Sequence, residues 1–450
     1  MKKVMIYLLL LLCMAAVAAN AETGNAEPEY FLFQQNGLFG YADRTGNIVI
    51  PAQWNYAEQF ENGIALVSND EESFSSSKDG LIDSSGDYIL KPDYLIERTP
   101  GSLYIVAADC GECLRYGYYD AAARYCQQPV YDAVQNRQAY PNGLVSAQKD
   151  GKWGFLRKKD GSIAIPFLYD EIIEDFSNGF ALVCRELPAP NAAGFLDQYL
   201  LINEEGNNVQ FCQDVMPVST PSKDGNVIIC GLPQDRSQKD IWGGDAVYGI
   251  GKTDGSILLT PSMAYIMPFS GDYAAFVDQS RNWGMLDTSG KIRVPPTIRI
   301  RNTGFFEPLL LVNGYAVYET EESQWKAVDS CGNVISLEYE NQDVSAGQVI
   351  AGSQLIPFMT NDGASGCYGL WKTDGHLVMA PCIEDYSMFS CGLCRVQVSG
   401  RYGFMNEEGN VVIPCIYEAA GDFSHDIAYV IKDGHCAFIT LSGDSVMIHE

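Results

Sequence analysis

The stretch that decides the fold is GKWGFLRKKDGSIAIPFLYDEIIEDFSNGFALV, residues 151–183. It contains an aromatic–Gly pair, a Lys-Asp-Gly turn, a proline that ends one apolar run and a glycine that precedes another. The same features return in the same order in residues 37–67, GLFGYADRTGNIVIPAQWNYAEQFENGIALV, and in residues 401–430. The stretch is therefore one copy of a tandem repeat, and a repeat of this length is typical of an array of small supersecondary units.

We take the glycine that follows the aromatic residue as the anchor of each copy. Successive anchors lie 34 to 49 residues apart. The anchors are Gly40, Gly80, Gly117, Gly154, Gly249, Gly284, Gly369 and Gly403, and degenerate copies have Leu200, Lys326 and Ala437 in this place. The sequence thus predicts an array of about ten units and a C-terminal fragment in residues 22–450.

Each unit contains three short apolar runs, which predict three strands. Between the second and third runs lies a turn such as Lys-Asp-Gly at 159–161, where glycine supplies the positive φ of a tight hairpin, so the strands pair antiparallel. The segment after the proline is interpreted as an irregular or one-turn helical return. A meander this small cannot bury its apolar face alone, so neighbouring units must stack on one another.

The aromatic residue before the anchor would form a column in a stacked array. It could serve as a sugar-stacking platform or as a repeated core position, and we favour the core. The residues concerned are Phe39, Tyr116, Trp153, Tyr248, Trp283, Tyr368 and Tyr402.

These patterns predict an all-β chain of stacked three-stranded antiparallel meanders. An open, curved superhelix is the preferred architecture because the units are many and unevenly spaced. The alternative is a β-propeller, or two smaller propellers divided near residue 190 or 245.

The recurring pattern GKWGFL…DG…IP…YDE…F..G.A.V resembles the WG-repeat (WG-containing repeat) family of bacterial proteins. The resemblance covers nearly the whole chain after residue 21, and the best units begin at residues 37, 151, 282 and 401. It implies a tandem all-β repeat protein, often exported or associated with the cell envelope, that serves in binding and has no established chemistry. The units around Leu200 and Lys326 depart from the pattern, since both lack the glycine and the proline.

The first 21 residues predict a secretory signal peptide that is cleaved. Lys2 and Lys3 precede an apolar stretch of about 14 residues, which is too short to span a bilayer, and Ala19 and Ala21 form an A-x-A cleavage site. We therefore expect an extracytoplasmic protein, secreted or associated with the envelope, with no transmembrane segment after cleavage.

The charge of the chain argues against one class of partner. The formal net charge is −28, with 57 acidic against 29 basic residues. A surface this negative repels phosphate backbones, so nucleic acid is not an expected partner. The acidic residues are better explained as keeping an exported protein soluble.

The longest spacings flank Leu200 and include polar insertions at residues 186–194 and 231–245. Insertions in repeat arrays lie on the surface and can carry recognition, which makes Trp242 a candidate contact residue. The alternative is that Trp242 folds back onto a neighbouring unit.

Cysteine offers three candidate pairs among 14 residues. Cys110 and Cys113 form a C-x-x-C that predicts a local disulfide and only weakly a metal site. Cys394 of a second C-x-x-C, with Cys391, stands where other copies have alanine, so it is predicted to be a small buried hydrophobe. Cys382 and Cys415 follow the proline in adjacent copies, and stacking could bring them together.

Catalytic motifs are not found in the sequence. Gly251, Lys252 and Thr253 imitate a phosphate loop but are the hairpin turn of their own unit. No cofactor or metal is implied. The sequence favours an exported, non-enzymatic binding or scaffold protein that presents an extended surface to a protein or a cell-envelope glycan. The alternative is a secreted hydrolase or thiol-redox protein whose acids or cysteines are gathered by folding.

Overall fold

The structure is a computed structural model, and its described part covers eleven segments of the chain. These are residues 30–69, 78–99, 101–111, 113–136, 142–188, 195–212, 215–231, 246–301, 309–340, 343–360 and 366–448. The predicted signal peptide, Trp242 and most of both insertions lie outside the described residues.

The described residues form β-strands and turns without a helix, so nothing in them has the form of a membrane-spanning helix. The first six sheets are β1–β3 (Tyr30–Gln35, Leu38–Asp43, Ile48–Trp54), β4–β10 (Tyr56–Ala57, Ile64–Ser68, Asp79–Asp83, Tyr88–Arg98, Leu103–Asp109, Leu114–Asp120, Tyr125–Tyr131), β11–β14 (Ala133–Gln135, Leu144–Lys149, Lys152–Arg157, Ile163–Tyr169), β15–β17 (Glu171–Ser177, Phe180–Pro188, Phe195–Asn203), β18–β21 (Val215–Pro217, Asn226–Gly231, Val247–Lys252, Ile257–Met263) and β22–β25 (Tyr265–Ile266, Tyr273–Val277, Trp283–Asp287, Ile292–Ile298). The last four are β26–β28 (Tyr315–Glu319, Trp325–Asp329, Val334–Leu337), β29–β32 (Val344–Ala346, Leu355–Thr360, Tyr368–Lys372, Leu377–Ile383), β33–β36 (Asp385–Tyr386, Leu393–Val398, Arg401–Asn406, Val411–Tyr417) and β37–β40 (Ala419–Ala420, Ile427–Lys432, His435–Thr440, Ser445–Met447).

Within each sheet, neighbouring strands follow one another in sequence, and every pair whose register is described is antiparallel, as the repeat pattern predicts; none of these sheets closes on itself. The predicted three-strand meander is present, but six of the described sheets have a fourth strand. This strand is short, as in β33, and lies in the return segment that was expected to be irregular or helical. That expectation was wrong because the backbone of the return segment pairs with the next strand, for example Tyr386 with Val396. We call each three- or four-stranded sheet a module.

The anchor glycines are explained by a bulge in the third strand of the meander, the outer strand. In β13 and β14, Trp153 pairs with Tyr169 and Phe155 with Ile165, so the outer strand advances four residues while the middle strand advances two. The bulged backbone curls over Gly154, where an added Cβ would lie 2.7 Å from the Ile165 carbonyl oxygen. Only glycine leaves room for a backbone at this distance.

The same bulge recurs at the other glycine anchors whose pairing is described. The two-against-four register is found with similar close backbone approaches at Gly40, Gly117, Gly249, Gly284, Gly369 and Gly403. A proline lies within or beside the bulge, as Pro166 does, and its missing N–H is tolerated because the bulged residues are out of the ladder.

The degenerate copies are a natural control. Lys326 pairs with Ser336 and Ala437 with Met447 in regular one-to-one register, without a bulge. The sheet that contains Leu200 ends at β17, which leaves Leu200 without a bulged strand beside it. The loss of the glycine therefore coincides with the loss of the bulge.

Modules stack through the hairpin turn between the middle and outer strands. The turn glycine has positive φ, as predicted, and lies against an aliphatic residue of the preceding module: Gly409 has φ +85° and an added Cβ would lie 2.5 Å from Val378. Gly86 lies in the same way on Ile50. In several turns an aspartate such as Asp43 caps the loop by accepting backbone N–H bonds, and these bonds and its side-chain bonds to Thr45 and Asn47 lower its pKa to about 2.

The lysine and the acidic residue of the repeat pattern also contact each other. Lys152, before the tryptophan, forms an ion pair with Asp170, which follows the outer strand. In the next-to-last module, Arg401 and Glu418 do the same at 3.1 Å, and Glu418 also accepts the backbone N–H of Gly434 in the last module. Such exposed pairs contribute little stability.

Two of the three-stranded modules have no short fourth strand beside the first strand of the meander. In both, a glutamine side chain bonds to that first strand instead. Gln59 accepts the N–H of Leu32 at 2.8 Å and donates to the carbonyl of Tyr30 at 2.7 Å. Gln348 bonds in the same way to the N–H and carbonyl of Val317. An amide has the same donor and acceptor as a peptide group, so one side chain satisfies the open edge of the strand.

The chain divides into two compact units. One holds the described residues of 1–73, 81–90 and 299–450, and the other those of 74–80 and 91–298. Within the first unit, β1 lies against β38 and β39 of the last module, and the rings of Phe31 and Phe438 meet edge to face at 5.6 Å. An open superhelix does not require its first and last modules to meet, and the superhelical form is not confirmed.

The bulge makes a specific prediction for Gly154→Ala. The added methyl group collides with the outer-strand backbone, and relieving this overpacking should cost about 1–3 kcal/mol in the free energy of unfolding, measured by urea titration. The control is Gly151→Asn at φ +75°, where no atom lies within 4 Å of an added Cβ and asparagine tolerates the conformation. Equal losses in both variants would show that the bulge does not select glycine.

The glutamine bridge predicts that Gln348→Leu destabilises the protein. The substitution leaves the buried N–H and carbonyl of Val317 without a partner, which should lower the free energy of unfolding by about 1–3 kcal/mol. Gln354→Leu, at an exposed position in the same unit, should change it by less than about 0.5 kcal/mol. The explanation fails if the two variants are equally stable.

Candidate functional site: a groove between the first and last modules

The candidate site is a groove in the first unit with a volume of about 440 Å³. One wall is the β1–β2 hairpin of the first module, and the other is the β38–β39 hairpin of the last. The volume lies in the range of small-molecule and peptide pockets. The lining residues are Phe33, Gln34, Gln35, Asn36, Gly37, Ile48, Ile431, Gly434, His435, Cys436 and Ile448.

Contacts between the two modules fix the walls in place. The Cys436 thiol donates to the carbonyl of Gln34, and Arg44 donates to the carbonyl of His425 at 3.1 Å while its guanidinium lies over the Phe31 ring. A buried cluster beneath the groove includes Phe33 and Phe438. The groove is therefore preformed by packing rather than built from a loop.

The groove lacks carboxylate, Lys and Arg side chains in an acidic chain, and His435 is its one basic residue. None of its lining residues is Asp, Glu, Lys or Arg. Three of them carry amides, and apolar side chains such as Ile48 and Ile448 provide the rest of the surface. The one aromatic ring, Phe33, is only 1% exposed and offers no face to a ligand. The arrangement can form hydrogen bonds and apolar contacts with a neutral ligand.

The thiol in the groove is poorly suited to nucleophilic catalysis. Burial raises the pKa of Cys436 above its ordinary value, and the hydrogen bond to Gln34 offsets this only in part. A raised pKa lowers the thiolate fraction at neutral pH, and the thiolate is the reactive form. Cys436 is better explained as a contact between modules.

In the second unit, polar side chains form hydrogen bonds between consecutive sheets, and we call this set of residues the polar row. Asn136 donates to Thr99 at 3.0 Å, and the Ser146 hydroxyl donates to buried Asp175 at 2.9 Å. Next along the chain, Glu174 accepts bonds from the backbone N–H and hydroxyl of Thr220 at 2.6 and 2.7 Å. The sequence does not single out these residues, because acidic residues are frequent in the chain and their burial and hydrogen bonds arise only in the folded structure.

Glu174 is a member of this row whose pKa is shifted. Burial of its carboxyl group raises its pKa, and the bonds from Thr220 only partly offset that effect. A raised carboxyl pKa is also found in general acids, so Glu174 is a candidate by chemistry. No group of three or more His, Cys, Asp or Glu that could hold a metal ion occurs in the described segments.

The predicted cysteine sites have mixed outcomes. Cys110 and Cys113 carry free, exposed thiols in the β8–β9 hairpin, where the N–H of Cys110 donates to the carbonyl of Cys113 at 3.1 Å; their disulfide stays a prediction. Cys394 is fully buried and burial raises its pKa to about 12, which fits a small core residue.

Cys382 and Cys415 are also free, yet they lie near each other in adjacent modules. Burial is the main cause that raises the pKa of Cys415, and the neighbouring Cys382 thiol adds to it.

The aromatic residues that precede the anchors are core positions, which is the interpretation that we favour over a sugar-stacking platform. Tyr248 and Trp283 are 3% and 4% exposed. The remaining members are half-buried, and Phe39, Tyr116, Trp153, Tyr368 and Tyr402 pack at the edges of the module cores. They do not present a stacking platform.

Comparison with known sequences agrees with the repeat analysis. The profile of the WG containing repeat matches the chain at residues 39–72, 153–186 and 402–436. The chain thus contains WG repeats at these three places, in the modules that carry Gly40, Gly154 and Gly403. No curated protein matches the chain.

Solved structures share only a general likeness with the chain. The crystal structure of the eukaryotic initiation factor is 11% identical, with a TM-score of 0.41, and the match covers 85% of this chain and 97% of that one. The computationally designed Ika8 protein is 11% identical at a TM-score of 0.32, covering 69% and 96%. A virginiamycin B lyase from Staphylococcus aureus is 14% identical at 0.25, covering 60% and 89%. We base no conclusion about function on these likenesses.

The buried carboxyl predicts a pH dependence for Glu174→Gln. Because the folded-state pKa is raised above the ordinary 4.5, ionisation destabilises the folded state; the cost is absent below that value and complete above the folded-state pKa. The stability of Glu174→Gln relative to the native chain should therefore rise as the pH increases above 4.5 in urea titrations. A flat difference for Glu174→Gln would contradict the assignment.

Proposed function

We propose that this protein is a non-enzymatic binding or scaffold protein that acts outside the cytoplasm and holds a protein or a cell-envelope glycan. The observation that carries the proposal is the preformed groove between the first and last modules of the first unit, which is lined by amide and apolar side chains together with His435. The WG repeats support it, because a stacked array provides a rigid frame on which such a site keeps its shape. The signal-peptide pattern of residues 1–21 supports the location.

The binding proposal is tested with the full chain immobilised on a support. We expect it to retain a specific partner from an envelope extract, or a specific member of an array of envelope glycans. An unrelated protein of similar negative charge serves as the control, since a net charge of −28 alone retains basic proteins. The proposal fails if neither experiment yields a ligand that the control does not also retain.

The location has a separate test. In a secreting bacterial host, the protein is expected outside the cytoplasm with Glu22 as its first residue, measured by fractionation and N-terminal mass spectrometry. A protein that stays in the cytoplasm with residues 1–21 attached would contradict the export proposal.

A thiol-redox function is the second candidate because of the Cys110–Cys113 hairpin. Both thiols are exposed, and Cys113 and Asp132 hold the pKa of the nearby Arg115 guanidinium above its usual value. An exposed pair of thiols with C-x-x-C spacing is accessible to disulfide exchange. In an insulin-reduction assay this candidate requires turnover that Cys110→Ser abolishes and Cys391→Ser preserves. If the native chain shows no turnover in this assay, the thiol-redox function is rejected.

A further inference from the structure

The β8–β9 hairpin of the second unit places two thiols opposite each other. Asp109 and Leu114 form the last regular pair of the two strands. Beyond them, the N–H of Cys110 donates to the carbonyl of Cys113 at 3.1 Å, so these two residues form the next pair of the ladder. Directly opposite residues project from the same face of a sheet. Both cysteines are exposed and carry free thiols.

The width of this pair favours a bridging atom between the two sulfurs. Opposite residues that share a ladder hydrogen bond have Cβ atoms about 5.5 Å apart. A disulfide requires a Cβ separation of about 3.5–4.5 Å, because its sulfur–sulfur bond is only about 2 Å long. Two metal–sulfur bonds in line, each near the roughly 2.3 Å of a zinc–sulfur bond, span a wider gap. The pair therefore suits a two-coordinate metal ion better than a direct sulfur–sulfur bond.

The available ligands select a soft ion with a low coordination number. Thiolates bind Cu(I), zinc and iron–sulfur clusters, but zinc and the clusters take three or four protein ligands. No group of three or more His, Cys, Asp or Glu that could hold a metal ion occurs in the part of the chain that the structure describes. Cu(I) forms stable complexes with two thiolates alone. A net charge of −28 also attracts cations to the chain.

Arg115 provides a positive charge beside the pair. It lies two residues after Cys113 on β9, hence on the same face of the sheet, and its guanidinium interacts with the Cys113 thiol. It also forms an ion pair with Asp132. A guanidinium has five N–H donors, so it can bond to both groups at once. A Cu(I) ion bound by two thiolates leaves one net negative charge, which such a donor stabilises.

The second C-x-x-C shows that the spacing alone does not create this arrangement. Cys391 is a turn residue with φ 52°, whereas Cys394 lies in β34 and pairs with Met405. The Cys394 thiol is buried and donates to the carbonyl of Ser387 at 3.0 Å. The two thiols of this motif are therefore not a ladder pair, and one of them is already hydrogen-bonded in the core.

From these observations we infer that Cys110 and Cys113 bind one Cu(I) ion between their sulfur atoms. Both thiols release their protons to solvent and two copper–sulfur bonds form. The copper stays in its +1 state, so the step consumes no oxidant or reductant. The inference goes beyond the proposed binding function and does not involve the groove. The disulfide predicted from the sequence is the competing state of the same two residues.

The test uses the full chain, reduced and kept free of oxygen. Mass spectrometry after alkylation confirms that both thiols are reduced before copper is added. Cu(I) is supplied as its acetonitrile complex in competition with the chelator bicinchoninate, and we expect one tightly held Cu(I) per chain. Cys110→Ser and Cys113→Ser should each weaken binding by about a hundredfold or more, because one of two ligands is lost. X-ray absorption of the native complex should show two sulfur neighbours around copper.

The matched controls are Cys391→Ser in the second C-x-x-C and Cys331→Ser, which also removes an exposed thiol. Both should retain the native affinity. Circular dichroism establishes that each variant folds, and if one ligand variant does not fold, the other decides the question. The inference is overturned if the native chain loses its copper to the chelator, or if a folded ligand variant binds Cu(I) as tightly as the controls. Neither result affects the proposed binding function, which is tested by partner capture.

Discussion

The close approach of the outer-strand backbone to the anchor glycine is the constraint on which the rest of the structure depends. Because the outer strand advances four residues while the middle strand advances two, its backbone curls over the glycine. At Gly154 and the six other anchors that share this register, an added Cβ would lie 2.1 to 3.0 Å from a backbone atom. The aromatic residue before the glycine then reaches the module core, and the proline is placed where no N–H is required. Where Lys326 or Ala437 replaces the glycine, the strands pair regularly.

Contacts between modules turn these small sheets into compact units. Turn glycines lie on the aliphatic residues of the preceding module, acids after the outer strand bond to the next hairpin, and Gln59 and Gln348 complete strand edges across modules. Each such contact is modest, so stability comes from their repetition along the array. The groove follows from the same packing, because its walls are two hairpins held by the core they share.

Much of the fold could be predicted from sequence because the pattern that defines a module is local. The anchors, the antiparallel hairpins and the packing of the aromatic residues at the module cores each depend on residues less than 20 positions apart in the sequence. The fourth strand was missed because two or three residues such as Asp385–Tyr386 carry no periodic signal. The groove and the burial of Glu174 could not be predicted, since they depend on residues that only folding brings together: Gln34 and Cys436 are 402 positions apart. Trp242 and the insertions, outside the described residues, remain predictions.

The central claim is that the anchor glycine and the bulge in the outer strand require each other. A double-mutant cycle measures this dependence directly. Deleting Pro166 and Phe167 removes the two extra residues of the outer strand, so that regular pairing leaves room for a side chain at position 154. The account predicts that the deletion destabilises the native chain but restores part of the stability lost in Gly154→Ala, which gives a favourable coupling of about 1 kcal/mol or more in the free energy of unfolding. Strictly additive losses would contradict it.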